Sequence, residues 1–414
     1  MTGTTTIDKG NLTPFIQDAF AQAGFPDQGR RKQAFDLFLA KGMPGPRAEE
    51  YRFAPITRTL EKLLTQSPGQ AHPSPALIQN LQCNVIAFVN GKFSRERSSI
   101  LDQELFISSS TIDTAQEGHD VFDLLNQAFA PEETHLKIGA KQVLAHPVAI
   151  VYYNESKAFR LIHPRWRFSI GTNSQATLLE YGAGAAQASC FQNKQSVIEV
   201  GENAELEYTI VQNGPSDVQV NNSVVHLSTS ARANCFTFTF DGQLVRNNLT
   251  LTVDGEGVDA HLYGLYLLSG NTIADNHTVV DHKKPNSFSN ELYKGVMDGN
   301  AKGVFNGKIY VRPMAQKTNA FQTNRNILLS DTATINTKPQ LEIWADDVKC
   351  SHGCTTGQLD EDALFYIRSR GISKDLAKGM LLYAFASEVM ASMKNETVRS
   401  FVDGLIGERL HKNF

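Results

Sequence analysis

"TVDGEGVDAHL", residues 252–262, is the stretch on which the reading of this chain turns. An alternating apolar and polar run ends in it, a small polar turn follows, and Val258 opens the next alternating run. The same order recurs in "EVGENAELEY" (199–208), "HLSTSARANCF" (226–236), "VMDGNAKGVF" (296–305) and "LLSDTATINT" (328–337). From Ala204 to Ala233, Val258, Ala301 and Ala333 the spacing is roughly 25 to 32 residues, with one longer step, a period typical of stacked units. Short strands and turns at that period favour a β-solenoid over a β-sandwich, which also uses many short strands. The longer step marks the repeat as degenerate.

Outward from this stretch the texture persists over residues 83–358, in runs such as "AIVYYN", "SVIEV", "CFTFTF" and "KIYV". Helical patterning there is confined to "DVFDLLNQAFA" (120–130). Residues 1–70 read as helical, because "LTPFIQDAFAQAG" and "QGRRKQAFDLFLAKG" place apolar residues three and four apart and each ends at a glycine. A polar linker, "SPGQAHPSP" (67–75), follows them. Residues 360–414 are helical again: Asp360 and Ser373 are candidate caps, Gly371 a stop, and Leu376, Met380, Tyr383, Val389, Met390 and Met393 form an apolar stripe. The expected architecture is a mainly β core between amino- and carboxy-terminal helical regions.

With 414 residues the chain can bury a large core. Its net charge of -4 argues against a nucleic-acid partner. No apolar run approaches the ~18 to 20 residues of a membrane span, and "MTGTTTIDKGNLTPF" has no signal-peptide core. A cytoplasmic protein is expected. Cys83, Cys190, Cys235, Cys350 and Cys354 are too thinly spread for a disulfide framework.

Chemistry concentrates in "WADDVKCSHGCTTG", residues 344–357. In a strand, Asp346, Val348, Cys350, His352 and Cys354 share one face, with neighbours about 6.6 Å apart. Two adjacent ligands can converge on a soft metal. Cys350 and Cys354 are about 13 Å apart in a straight strand, so all three chelate one ion only if the chain bends at Gly353. The stretch is an incomplete set of two or three soft ligands, against the alternative of a core cysteine and a turn-capping histidine. Asp346 and Asp347 suggest paired carboxylates for glycoside chemistry, but adjacent strand residues face opposite ways. In "DNHTVVDHKKP" His277 and Asp281 share a face and His282 does not, which fits hydrogen bonding better than a metal site. "YGAGAAQ" (181–187) is not a full dinucleotide fingerprint, and no Walker A pattern occurs.

"DNHTVVDHKKPNSFSNELYKGVMDGNAKGVFNGKIYV" (275–311) and "AQKTNAFQTNRNILLSDTATINTKPQLEIWADDVKCSHGCTTGQLDEDALFYIRSRGI" (315–372) strongly resemble the SufB/SufD family. "GMPGPRAEEYRFAPI" (42–56) resembles the family's amino-terminal segment, with Tyr51 where Trp is usual; the likeness is weak between about residues 60 and 140. Within the family the chain is more similar to the SufD branch. It lacks the SufB amino-terminal cysteine motif, has Thr323 in place of the SufB assembly thiol, and reads His352-Gly353 where SufB has His-Glu.

The resemblance implies a right-handed parallel β-helix between helical ends. It also implies a non-enzymatic scaffold that assists iron–sulfur cluster assembly, by iron entry and a shared cluster site at the SufB interface. SufB would pair through the β-helix, the SufC ATPase would dock on the carboxy-terminal helices, and the chain alone would form a homodimer. Iron or a nascent cluster is handled in the complex, flavin is a further candidate there, and no cofactor is tightly bound to the isolated chain. The implied site is His352, with Cys350 nearby and Cys354 the weakest member. The rival readings are a β-helix carbohydrate-active enzyme and a purely structural module.

Overall fold

A strand buried on both faces loses the clean alternation of a half-solvated one, and the middle of this chain mixes the two patterns. A computed structural model describes residues 12–24, 28–65, 81–112, 120–155, 159–183, 190–214 and 218–413. The linker 67–75 and most of "YGAGAAQ" lie outside the described residues. Strands and helices are numbered in chain order among these residues.

The fold is a mainly β solenoid of about seven turns with helices at both ends, as the sequence leads one to expect; the sandwich is set aside. The strands form two ten-stranded sheets, and over residues 205–357 each turn contributes one strand to each. The first sheet ends β10 (Glu205–Asn213), β12 (Arg232–Asp241), β14 (Asp259–Leu268), β16 (Phe288–Met297), β18 (Asn319–Leu328) and β20 (Lys349–Gly357). The second ends β11 (Val218–Leu227), β13 (Leu244–Val253), β15 (Ile273–His282), β17 (Lys302–Val311) and β19 (Thr334–Ile343). All these pairs are parallel, in unbroken register except at the end of β10.

The longer step in the sequence repeat has a geometric cause. The turns after Val200, Leu227 and Val253 lie at one edge of the solenoid, whereas those after Met297 and Leu328 lie at the other. Two series were read as one. The true marker of the first edge is a left-handed corner that recurs at Asn173, Asn203, Ser230, Gly257, Asn286 and Lys317. At each corner the backbone N–H bonds to a carbonyl of the next turn, as Asn203 does to Thr229 (2.9 Å) and Ser230 to Glu256 (2.8 Å). Left-handed backbone favours Gly and Asn, so the marker is conformational and its residue type varies.

The lumen carries a long apolar cluster including Leu206, Leu251, Leu262, Val280 and Phe305. β12 inverts the usual arrangement. Its Cys235, Thr237 and Thr239 lie in register with lumenal residues, while Phe236 and Phe238 face outward and, with Phe240, are sealed under the carboxy-terminal helices. Those helices, α6 (Lys374–Met390) and α7 (Glu396–Asn413), bury Leu382, Val389, Met390, Phe401 and Leu405 on this face. Ahead of them α5 (Glu361–Arg368) begins at Asp360, whose carboxylate accepts from Asp362 N and Ala363 N at 3.0 Å, and the chain turns at Gly371, φ +84°. Ser373 caps α6.

At the other end α1 (Leu12–Gln22), α2 (Gln28–Lys41), α3 (Ile56–Thr65) and α4 (Val121–Phe129) share one apolar cluster with the outer face of the second sheet. Buried Arg31 donates to Ala128 O and Ala130 O (2.5 Å), satisfying the end of α4. The segment after Pro44 straps along the second sheet. Glu49 pairs with Lys338 (2.6 Å) and Glu50 with Lys308 (2.9 Å), and Arg246 stacks over the Tyr51 ring at 4.0 Å. Tyr51 thus supplies the aromatic surface this cation needs.

Candidate functional site

The last turn of the solenoid, β19 and β20, has no turn beyond it among the described residues, and its strands are the free edges of the two sheets. Burial falls off accordingly: every residue of β20 except Cys350 is exposed. β20 is placed by its register on β18, where Ala320 pairs with Cys350, Gln322 with His352 and Asn324 with Cys354. Ala320, Gln322 and Asn324 are buried, lumenal residues of β18, as is Asn326 beyond them. Cys350, His352 and Cys354 therefore continue three lumenal columns to the open end, on the common face that the alternation implies.

Their environments differ. Cys350 is half-buried among Ile309, Val311, Ala315 and Ala345, and burial pushes its thiol pKa up, partly offset by a backbone hydrogen bond from Ala320. Cys354 is exposed and its Sγ donates to Thr337 Oγ1 (3.4 Å), reaching across to the second sheet. His352 is exposed. The strand runs straight through Gly353, which pairs with Thr323 without positive φ. The bend that would gather all three ligands is not made. Among the described residues no group of three or more His, Cys, Asp or Glu side chains converges as a metal site. The donor types nonetheless suit iron: two thiols and an imidazole are soft or borderline ligands. Adjacent pairs in one column set, about 6.6 Å apart along the strand, can each offer two ligands to an ion that draws the rest from elsewhere.

Asp346 and Asp347 sit exposed in the turn before β20; Asp347 uses its backbone N–H on Gln316 Oε1 (2.9 Å) and its carbonyl on Lys317 N (2.6 Å). They stand side by side on a turn, exposed to solvent. His277 contacts Asp275 (2.8 Å) and Glu50 (3.4 Å), and Asp281 forms a two-point pair with Arg312 (2.8 and 3.1 Å). His282 faces the lumen, bonded to Ser289 Oγ at 2.9 Å, and burial lowers its pKa to about 4. These residues hold strands and the amino-terminal strap together, the hydrogen-bonding role their spacing suggests.

The sequence reading missed the polar contents of the lumen behind β20. Glu291 on β16 is wholly buried, accepting from Thr278 Oγ1 (2.7 Å) and Gln322 Nε2 (3.2 Å). Tyr266 Oη donates to Asn326 Oδ1 (2.5 Å) and receives Asn324 Nδ2 (3.0 Å). The available signal was a carboxylate at an inward position of an alternating strand, in "FSNELYKGVM".

Comparison with known proteins follows the same lines. A family model described as the SUF system FeS cluster assembly, SufBD core domain matches residues 152–385. The iron-sulfur cluster assembly protein SufD of Escherichia coli is 28% identical over 403 residues, covering 94% of this chain and 95% of that one. An iron-sulfur cluster assembly SufBD family protein of Synechocystis sp. is 30% identical over 392 residues, 87% of this chain and 86% of its own. No helix among the described residues is long and apolar enough to cross a membrane.

Proposed function

Since this chain belongs to the SufBD family of SUF-system iron–sulfur cluster assembly proteins, we propose that it is a SufD-type scaffold subunit that supplies half of a cluster-assembly site. One observation carries the reading: a column set of Cys350, His352 and Cys354 ends at an open solenoid edge with too few ligands to close around iron. Such a half-site has a use when a second solenoid brings the remaining ligands, and a free strand edge is a ready pairing surface. Exposed Trp344 and Ile343 beside that edge, at 48% and 41%, support a partner contact there. The partner is a SufB subunit, and in its absence a second copy of this chain takes the same edge. Iron and the nascent cluster are cargo. The chain performs no reaction of its own and works in the cytoplasm. Flavin, a further candidate for the complex, finds no support in the relatives' descriptions.

A SufC ATPase docks on α5 and α6. Phe365, Tyr366, Leu376 and Met380 expose an apolar surface there, Phe365 at 72%, whereas Leu382, Ala386, Val389 and Met390 of α6 are buried against the solenoid. The stripe expected along α6 is thus two faces, one spent on the solenoid and one left open. Isolated exposed apolar residues need no explanation, but a group of four is a candidate interface.

The reading is tested by co-purification with SufB and SufC followed by anaerobic addition of iron and sulfide. Visible cluster absorption should develop in the three-protein complex and not in this chain alone. Failure to co-purify with either partner would overturn it.

A further inference from the structure

Behind His352 lie polar groups that cluster assembly, as described so far, does not use. Glu291, Gln322 and His352 occupy one register column in three successive turns, each about 4.8 Å from the next. The first two are sealed, at 0% and 1% exposure. Both hydrogen bonds to the Glu291 carboxyl, from Thr278 and from Gln322 Nε2, reach the same oxygen, Oε2. Glu291 Oε1 and Gln322 Oε1 are buried without a hydrogen-bond partner. Unpaired buried acceptors are rare and call for an explanation.

The amide is also given room by design of the backbone. A Cβ on Gly307 of β17 would stand 2.0 Å from Gln322 Nε2, so the facing strand carries no side chain where the amide crosses. With Nε2 committed to Glu291, the amide keeps one acceptor, Oε1, and the next residue in its column is the imidazole of His352. A metal-binding imidazole needs an acceptor for its second ring nitrogen, which fixes tautomer and orientation.

We propose that Gln322 is a positioning residue for His352: anchored from behind by Glu291, it receives a ring N–H of His352 on Oε1 when the imidazole turns into the lumen, and so sets which ring nitrogen is left for iron. The iron half of this rests on the assembly-site reading above; the hydrogen bond does not. Donation runs one way along the column, from His352 to Gln322 to Glu291. No cation pairs with the Glu291 carboxyl among the described residues, and burial raises its pKa to about 7; Oε2 accepts the amide N–H in either protonation state.

The test is the tautomer of His352 in the metal-free, nitrogen-15-labelled chain, read from long-range proton–nitrogen spectra near pH 8 and assigned with His352→Gln. Native protein should show one ring N–H form in at least tenfold excess. Gln322→Leu removes the acceptor and Gly307→Ala pushes the amide aside by an independent route. Either should relax the ring to the mixture of a free imidazole, and Gln322→Glu should restore the single form. A free-imidazole mixture in native protein, or an unchanged tautomer in both disrupting variants, overturns the hydrogen bond. Cobalt(II) titration of the complex with SufB separates the two claims. Gln322→Leu should weaken binding several-fold, and unchanged binding overturns the positioning role. Cobalt binding indifferent to His352→Ala would overturn the assembly-site reading, leaving the tautomer result to stand by itself.

Discussion

Glu291 is a wholly buried acid with no cationic partner among the described residues, and its cost depends on pH. Its pKa rises from 4.5 to about 7 because burial penalises the charged form more than Thr278 and Gln322 relieve it. Below pH 4.5 both folded and unfolded chains hold the proton, and the stabilisation is fully present. As pH rises to 7 the unfolded chain releases the proton first, so stability falls; above 7 it is flat. The span amounts to about 3 kcal/mol. Glu291→Gln keeps the neutral shape and removes the slope. In urea unfolding it should match native protein near pH 4.5 and exceed it by up to ~3 kcal/mol at pH 8; an equal difference at both pH values would contradict this. Residues of this kind were only half legible in the sequence. Period-two alternation shows that Ser289, Glu291 and Tyr293 share a face, but not that the face is the lumen. Cys350, His352 and Cys354 were legible as a set because strand geometry alone puts them on one side. Their separation from one another also followed, and only the conduct of Gly353 needed the fold.

Among elements, β12 shows why alternation misleads about inside and outside. In "CFTFTF" the aromatic set looks like the core face, yet Phe236 and Phe238 lie outside the solenoid under α6 and α7, and Thr239 faces inward to Gln212 Oε1 at 2.7 Å. The helices were legible from their spacing and caps, but what they cover was not, because docking depends on residues distant in sequence. Two outcomes follow. Phe236→Ala should lose about 3 to 5 kcal/mol in chemical denaturation, more than a surface aromatic could. A loss below ~1 kcal/mol would mean the helices do not seal this face. Truncation at Ser373 uncovers Phe236, Phe238, Leu265 and Leu267 together and should produce an associating species in light scattering. A well-behaved truncated monomer would contradict the packing described. Probing the ATPase surface therefore calls for polar substitutions at Phe365 and Met380 in the full chain. These should abolish SufC binding with a change in melting temperature of no more than a few degrees.

For the whole molecule, the repeat was legible and its phase was not. The left-handed corners at Asn203, Ser230, Gly257, Asn286 and Lys317 share a backbone conformation with no common side chain, so the sequence series slipped from one edge of the solenoid to the other. The stacking of turns nevertheless has one functional consequence: lumenal columns that are sealed for most of their length emerge at a single open turn, where an imidazole and two thiols meet solvent. The most direct measurement of the central claim is cluster assembly by cells carrying His352→Ala, beside thermal melts and co-purification of the purified variant with SufB and SufC. The expected result is an unchanged melt, an intact complex and loss of cluster formation, with Cys350→Ala milder and Cys354→Ala mildest. Normal cluster formation by a folded, complexed His352→Ala protein would contradict the claim that this turn is half of the assembly site.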